Sequence, residues 1–149
     1  MEARSVKISW KIMMVPPIFA LLLGLSLTVV PGISVAQNFQ SFMGQPWADF
    51  VTSNAKLGTF LSMLIQLIGV QVIVIGIMSI AITLTAYRRG ERWSWYILLV
   101  GNTLAFGSGL VWEAATDVIR PLVMYAIMLL VAYVGLAISA KAILTKTSS

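Results

Sequence analysis

Cysteine and histidine are absent from the 149-residue chain. Their absence removes thiolate nucleophiles, disulfides and the usual protein ligands of zinc, iron–sulfur clusters and histidine-bound haem. Most redox and metal chemistry is thereby excluded for this chain alone. We expect no catalytic residue, no metal site and no bound cofactor.

Charged residues are scarce as well, at 10% of the chain against 59% hydrophobic residues. A soluble domain has about 25% charged residues, so this composition excludes a water-soluble fold. Ten Lys and Arg residues outnumber five Asp and Glu residues. The basic residues are dispersed at the ends of apolar segments instead of forming one face, so we expect no nucleic-acid partner.

Long apolar segments are what the chain has in abundance. A helix needs about 20 apolar residues to cross ~30 Å of hydrocarbon. Four segments meet this requirement: 12–30, 57–87, 93–112 and 122–142. The sequence predicts an all-α integral membrane four-helix bundle that forms a single domain over 1–149, with an extracytoplasmic connector at 31–56 and the lipid bilayer as its surroundings.

The first segment has a rival interpretation as a cleaved signal peptide, with cleavage after Ala36 in "SVAQ". Its apolar run is longer than the roughly 7 to 15 residues of a signal core, so we expect the segment to be retained. Pro16 and Pro17 predict a kink or a late helix start, because proline lacks the amide proton of a helical residue.

The connector "NFQSFMGQPWADF" is aromatic but too polar to span a bilayer. Pro46 followed by Asp49 predicts a short surface helix. The second apolar segment has 31 residues without a charge. As one helix it would measure about 46 Å, so it must tilt or be covered by the connector or by a partner chain.

Residues 87–95, "YRRGERWSW", interrupt the apolar sequence with four charges. Aromatic side chains beside basic ones are typical of a turn at the membrane interface, and Gly90 supplies a flexible point. We interpret the stretch as such a turn, formed by Arg88, Arg89, Arg92, Trp93 and Trp95.

The basic residues are distributed unevenly between the two predicted sides. If both termini and the 88–92 turn share one side, that side has eight basic residues and the other has two. The positive-inside rule then places both termini in the cytoplasm. The eight are Arg4, Lys7, Lys11, Arg88, Arg89, Arg92, Lys141 and Lys146, and the two are Lys56 and Arg120.

Small residues recur at helical spacing in each segment, which predicts the faces on which the helices pack. The first segment repeats Ala20, Gly24 and Thr28, the third Gly101, Ala105 and Gly109, and the fourth Ala132, Gly135, Ser139 and Ala142. The second repeats Ser62, Gly69, Gly76 and Thr83 every seven residues, the period of a left-handed helix seam.

Polar residues with functional potential lie near one stripe of the third segment and its extension. Asn102 is expected near the bilayer midplane, where it either hydrogen-bonds across the bundle to Gln71 or contacts a ligand. Glu113 is expected at the outer surface, as part of a solvated helix end with Asp117 and Arg120 paired, or as part of a functional acid cluster. Glu113 and Asp117 could also form an acid–base pair.

The turn "YRRGERWSWYILL" and the four-span layout resemble small prokaryotic four-helix membrane proteins, including the DoxX-like group. The resemblance covers residues 87–99 and no functional residue beyond the turn. It implies a place beside quinone-linked oxidoreductase complexes, as some members of that group have.

Three functions are compatible with these observations. The first is a non-catalytic small integral membrane subunit or accessory protein of a membrane complex, or a homo-oligomer, so that other membrane subunits or copies of the chain are its partners. The second is a transporter or channel for a small or lipophilic solute. The third is a quinone- or lipid-linked membrane enzyme subunit.

Overall fold

The computed structural model of the protein describes residues 2–145, with side chains from Ser5 onward, and this part of the chain is helical without a strand. Arg4 and Lys146, which contribute to the predicted charge asymmetry, therefore lie outside the described side chains. The helices are α1 (Glu2–Ile12), α2 (Val15–Val29), α3 (Pro31–Met43), α4 (Trp47–Ser53), α5 (Ala55–Ile82), α6 (Arg92–Ala115) and α7 (Ile119–Leu144), and a π-helical turn, Thr83–Tyr87, extends α5.

Four helical segments within this range are long and apolar enough to cross a membrane. This confirms the all-helical class and the number of long apolar helices. The segments are Ser5–Val29, Ala55–Tyr87, Arg92–Ala115 and Ile119–Leu144. The first begins earlier than predicted, because α1 adds a more polar helix before the apolar run.

The predicted break near the two prolines is present. Helix α1 ends at Ile12, and α2 begins at Val15 with Pro16 and Pro17 in its first turn. These positions need no amide proton, so proline is tolerated where a new helix starts. Helix α1 then packs on α7, where the Met13 side chain lies against Gly135.

The connector is more helical than the sequence indicated. Helix α4 begins after Pro46 with Asp49 in its first turn, as expected. Helix α3 was not predicted, although Pro31 occupies its first turn and Gly44 ends it with a φ of 70°. Val51 of α4 lies against Gly58, so the connector covers the first turns of the long α5.

Helix α5 packs chiefly along α2, on the small residues that were predicted to face a neighbour. A Cβ atom added at Gly69 would lie 2.5 Å from the Thr28 Oγ1 and 2.8 Å from the Gly24 carbonyl oxygen. Gly76 approaches the backbone of Leu21 in the same way. The glycines therefore allow the two backbones to come together.

The predicted small-residue face is partly correct for α7 and mostly wrong for α6. Three of the α7 residues, Ala132, Gly135 and Ser139, are buried. In α6, Gly109 faces the Tyr125 ring, whereas Gly101 is exposed with no neighbour within 4 Å of an added Cβ. Ala105 is exposed too, because α6 buries a neighbouring stripe that carries Leu98, Asn102 and Phe106.

One end of the molecule has a compact core. Met13, Tyr87, Leu98, Leu136 and Ile143 are buried there, and Val6 and Leu144, near the two described ends, pack on them. The Tyr87 hydroxyl contacts the hydroxyls of Ser9 and Ser139, the latter at 2.6 Å. The two described ends and the 88–91 turn therefore lie together.

Candidate functional site

A cavity of about 910 Å³ lies at the other end of α6, away from this core. Helices α2, α5 and α7 form its walls together with the last turn of α6, and α3 lies across it. Its walls are almost entirely apolar, with side chains such as Phe19, Leu23, Ile65 and Met124. A space of this size and lining is typical of a site for a small organic molecule.

Glu113 is the charged residue among those that line the cavity. Its side chain is 5% exposed. The Asn38 Nδ2 of α3 donates a hydrogen bond of 2.5 Å to the Glu113 Oε2. No basic side chain that the structure describes comes within 4.0 Å of this carboxyl group. Glu113 is thus a buried acid with an amide partner and no ion-pair partner among described residues.

The end of α6 aims Glu113 towards α3. Asp117 adopts a left-handed backbone conformation with φ 53°, and the Val118 amide donates back to the Glu113 carbonyl at 3.3 Å. Thr116 sits at the helix terminus, where its Oγ1 accepts a 3.2 Å hydrogen bond from Asn38. This tight ending places Glu113 and Thr116 beside α3 instead of in solvent.

Helix α3 is held at the cavity by polar contacts and aromatic rings. None of its residues is fully buried. Besides the bonds of Asn38, the Ser41 hydroxyl donates to the Thr116 carbonyl at 2.6 Å. The Phe39 ring meets those of Trp47 and Phe50 with centroids 5.0 and 4.9 Å away. A few side chains therefore fix the position of α3.

Aromatic side chains also flank the cavity deeper in the bundle. The ring centroids of Phe19, Phe106 and Tyr125 are each 6.3 Å from the other two. Phe19 and Tyr125 line the cavity, and Tyr125 rests on Gly109, where the lack of a side chain makes room for its ring. The aromatic cluster gives the cavity a rigid apolar wall.

The residues singled out by sequence are not brought together into one site. Asp117 and Arg120 are exposed, do not line the cavity and form no ion pair with each other. Glu113 is buried, so the expected solvated helix end is wrong for this residue, and the alternative of an acid–base pair with Asp117 is not formed. The structure keeps one of the candidate acids in the cavity.

Asn102 and Gln71 do not form the predicted hydrogen bond. The Asn102 side chain is buried and donates 2.6 Å to the Leu98 carbonyl in its own helix. Gln71 is exposed on α5. Neither residue lines the cavity.

The interface turn lies at the opposite end of α6 and contributes nothing to the cavity. Arg89 and Glu91 form an ion pair of 2.8 Å, and Arg88 lies 5.1 Å from the Trp10 ring centroid. Of the predicted turn residues, Arg92 and Trp93 begin α6, while the Trp95 Nε1 donates 3.0 Å to the Leu136 carbonyl of α7. The stretch is a helix–helix turn.

The cavity residues that sequence reasoning missed include Asn38, Thr116 and Tyr125. Asn38 and Thr116 meet because α3 returns to the end of α6, and Tyr125 of α7 packs on Gly109 of α6. Both are long-range contacts without a local signal in the sequence. Within the described part of the chain, no group of three or more acidic side chains is placed to hold a metal ion.

Comparison with protein-family models, curated proteins and solved structures finds no match to this chain. The resemblance of the 87–99 turn to the DoxX-like group stays a prediction.

Proposed function

We propose that this chain is an integral membrane protein that takes a lipophilic molecule from the bilayer into the cavity between α2, α5 and α7. The observation that carries the proposal is the cavity of about 910 Å³, whose lining is mostly apolar and includes the polar residues Glu113, Asn38, Thr116 and Ser34. A ligand that matches this lining has an apolar body and a polar group at one end.

The proposed orientation places both termini in the cytoplasm and the cavity in the extracytoplasmic half of the membrane. The excess of basic residues near the termini and the 88–92 turn supports it. The packing of Val6, Leu144 and Tyr87 around one core supports it as well, because it places these three regions at the same end. Helices α3 and α4 then lie on the outer surface.

Access from the lipid follows from the exposure of the cavity walls. Leu22, Ile68 and Trp112 line the cavity and are 61%, 56% and 63% exposed. Their surfaces face outward from long apolar helices, where hydrocarbon surrounds a spanning protein. A lipophilic solute can therefore reach the cavity sideways from the bilayer, and apolar walls suit such a solute better than a hydrated ion.

The proposal is tested by binding of 1-pyrenebutanol to the protein in phosphatidylcholine nanodiscs, followed by pyrene anisotropy with empty nanodiscs subtracted. We expect saturable binding that Leu23→Trp weakens at least about tenfold, because the indole occupies part of the space that the pyrene body needs. Leu25→Trp, on the outward face of α2, is the control and should bind normally. Non-saturable binding, or equal binding by both variants, contradicts the proposal.

A second candidate function is favoured by Gln71, whose exposed side chain lies midway along the Ala55–Tyr87 segment. It makes no side-chain hydrogen bond with any residue that the structure describes. An amide facing hydrocarbon is unfavourable unless another helix supplies a partner. This supports association through α5, with a second copy of the chain or as an accessory subunit of a membrane complex.

Association is tested by the size of the protein extracted in mild detergent and by the chains that co-purify with it. We expect a complex that Gln71→Leu shifts towards the monomer. Gln66→Leu is the matched control, because Gln66 already donates to the Thr28 carbonyl at 3.3 Å within the same chain. A wild-type monomer without another chain contradicts this candidate.

A further inference from the structure

One of the two oxygens of the Glu113 carboxyl group accepts a hydrogen bond from the described residues, and the other accepts none. Oε2 accepts the Asn38 hydrogen bond, whereas Oε1 accepts none from the residues that the structure describes. Because Glu113 lines the cavity, a ligand in this space can approach its carboxyl group. A ligand with a hydrogen-bond donor at its polar end would complete the coordination of this carboxylate.

The cavity lining has an acidic residue and no basic residue. Its lining includes Glu113 and no Lys, Arg or Asp. A carboxylate removed from water and left without a positive partner is costly, and the cost falls when a cation is placed beside it. The structure supplies an amide at this position and no cation among its described side chains.

Aromatic side chains that line the same cavity add to this preference. Tyr125 and Trp112 line the cavity together with Glu113, and Phe39 approaches from α3. The faces of aromatic rings attract cations, most strongly when water is excluded. An anionic head would instead meet a buried carboxylate of its own sign.

We infer that the ligand of this cavity is an amphipathic amine, with a protonated ammonium group at Glu113 and an apolar body along α2, α5 and α7. The inference rests on the proposed function, because it names the chemical class of molecule that the same cavity binds. Glu113 acts as the counter-ion and hydrogen-bond acceptor, while the apolar walls hold the body. Asn38 keeps the carboxylate oriented through its other oxygen.

Three probes with the same pyrenyl body test the inference: 1-pyrenylbutylamine, 1-pyrenebutanol and 1-pyrenebutyrate. Each is titrated into the wild-type protein in phosphatidylcholine nanodiscs, whose zwitterionic surface concentrates neither charge, and empty nanodiscs are subtracted. We expect the amine to bind at least about tenfold more tightly than the alcohol, since a hydrogen bond between two charged groups is stronger than one from a neutral hydroxyl. The acid should bind most weakly.

Two variants assign the preference to Glu113. Glu113→Gln should abolish the preference for the amine while the alcohol still binds. Asp117→Asn removes an exposed acid four residues along the chain, outside the cavity, and should retain the preference. If Glu113→Gln fails to fold, the order of the three probes on the wild-type protein still decides.

The outcomes separate this inference from the proposed function. Equal binding of the amine and the alcohol, or tighter binding of the acid, overturns the amine assignment and leaves lipophile binding intact. An amine preference that survives in folded Glu113→Gln also overturns it. Absence of saturable binding of 1-pyrenebutanol overturns the proposed function itself.

Discussion

Gly69 and Gly101 show how a single position decides whether two helices can approach. Gly69 faces the α2 backbone, with Gly24 and Thr28 at distances that leave no room for a Cβ atom. Gly101 belongs to an equally regular pattern of small residues, yet it faces open space. The two residues therefore form a matched pair for mutation.

We expect Gly69→Leu to destabilise the protein by about 1–3 kcal/mol or more, because the new side chain must separate two backbones. Gly101→Leu should change the free energy of unfolding by less than about 0.5 kcal/mol, as exposed substitutions usually do. Thermal unfolding in the same detergent, followed by tryptophan fluorescence, measures both variants. Similar destabilisation by the two substitutions would contradict the α2–α5 contact.

The same comparison shows what the sequence can predict at single positions. The repeats of small residues that contain Gly24 in the first segment, and Gly69 and Gly76 in the second, predicted packing faces because helix backbones approach closely at small residues. The prediction failed for the third segment, since α6 buries the neighbouring stripe with Leu98 and Phe106, whose larger side chains make more van der Waals contact with the adjoining helices. Small residues permit contact and do not require it.

The residue type and helical spacing of Glu113 identified it as a candidate, but they did not predict that its side chain is buried. Its surroundings come from Asn38, which is 75 residues away in the chain. No local pattern connects two residues at that separation. The end of α6 at Glu113 would be solvated, as the sequence indicated, if α3 did not lie against it.

Helix α3 is the element on which the cavity depends. Its ends follow from ordinary signals, with Pro31 in the first turn and Gly44 at the terminus. Its position depends on Asn38, Ser41 and Phe39, because no α3 residue is fully buried. Such an element is expected to open more easily than the long helices that it covers.

We expect Asn38→Leu to loosen α3 without unfolding the bundle. The substitution removes the hydrogen bonds that the Asn38 side chain donates to Glu113 and Thr116. A lost hydrogen bond to a charged group costs about 1.5–3 kcal/mol. Hydrogen exchange of the α3 amides should accelerate about tenfold or more, while the α2 and α5 amides keep their protection. Gln37→Leu, at the exposed neighbouring position, is the control.

Unchanged exchange in α3 of the Asn38→Leu variant would show that the aromatic contacts with α4 suffice to hold this helix. Equal acceleration in the Gln37→Leu variant would show that any apolar substitution on this surface has the effect. Either result would contradict the role of the Asn38 bonds.

At the scale of the whole molecule, composition and charge predicted the helical class and the four long apolar helices, whereas they did not predict the cavity. The scarcity of charge and the length of the apolar segments led to four long apolar helices, and the structure has them. The break at Pro16 and the turn at Gly90 were readable because proline and glycine act locally. The cavity between α2, α5 and α7 could not be predicted from the sequence, because it results from how these helices are arranged around α3.

Membrane orientation gives the last prediction, and the absence of cysteine makes it direct to test. Thr52 in α4, Leu104 in α6 and Thr145 after α7 are all exposed. Each is replaced by cysteine in turn and treated with a membrane-impermeant maleimide in spheroplasts of the expression host. We expect Thr52→Cys to react at once and Thr145→Cys to react only after permeabilisation, because the basic ends remain in the cytoplasm.

Leu104→Cys should react poorly under both conditions, since hydrocarbon shields a side chain that is 67% exposed on the protein surface. This variant separates burial in lipid from burial in protein. Rapid reaction of Leu104→Cys would contradict the spanning position of α6. Reaction of Thr145→Cys in sealed spheroplasts would contradict the cytoplasmic terminus, and with it the placement of the cavity in the outer half of the membrane.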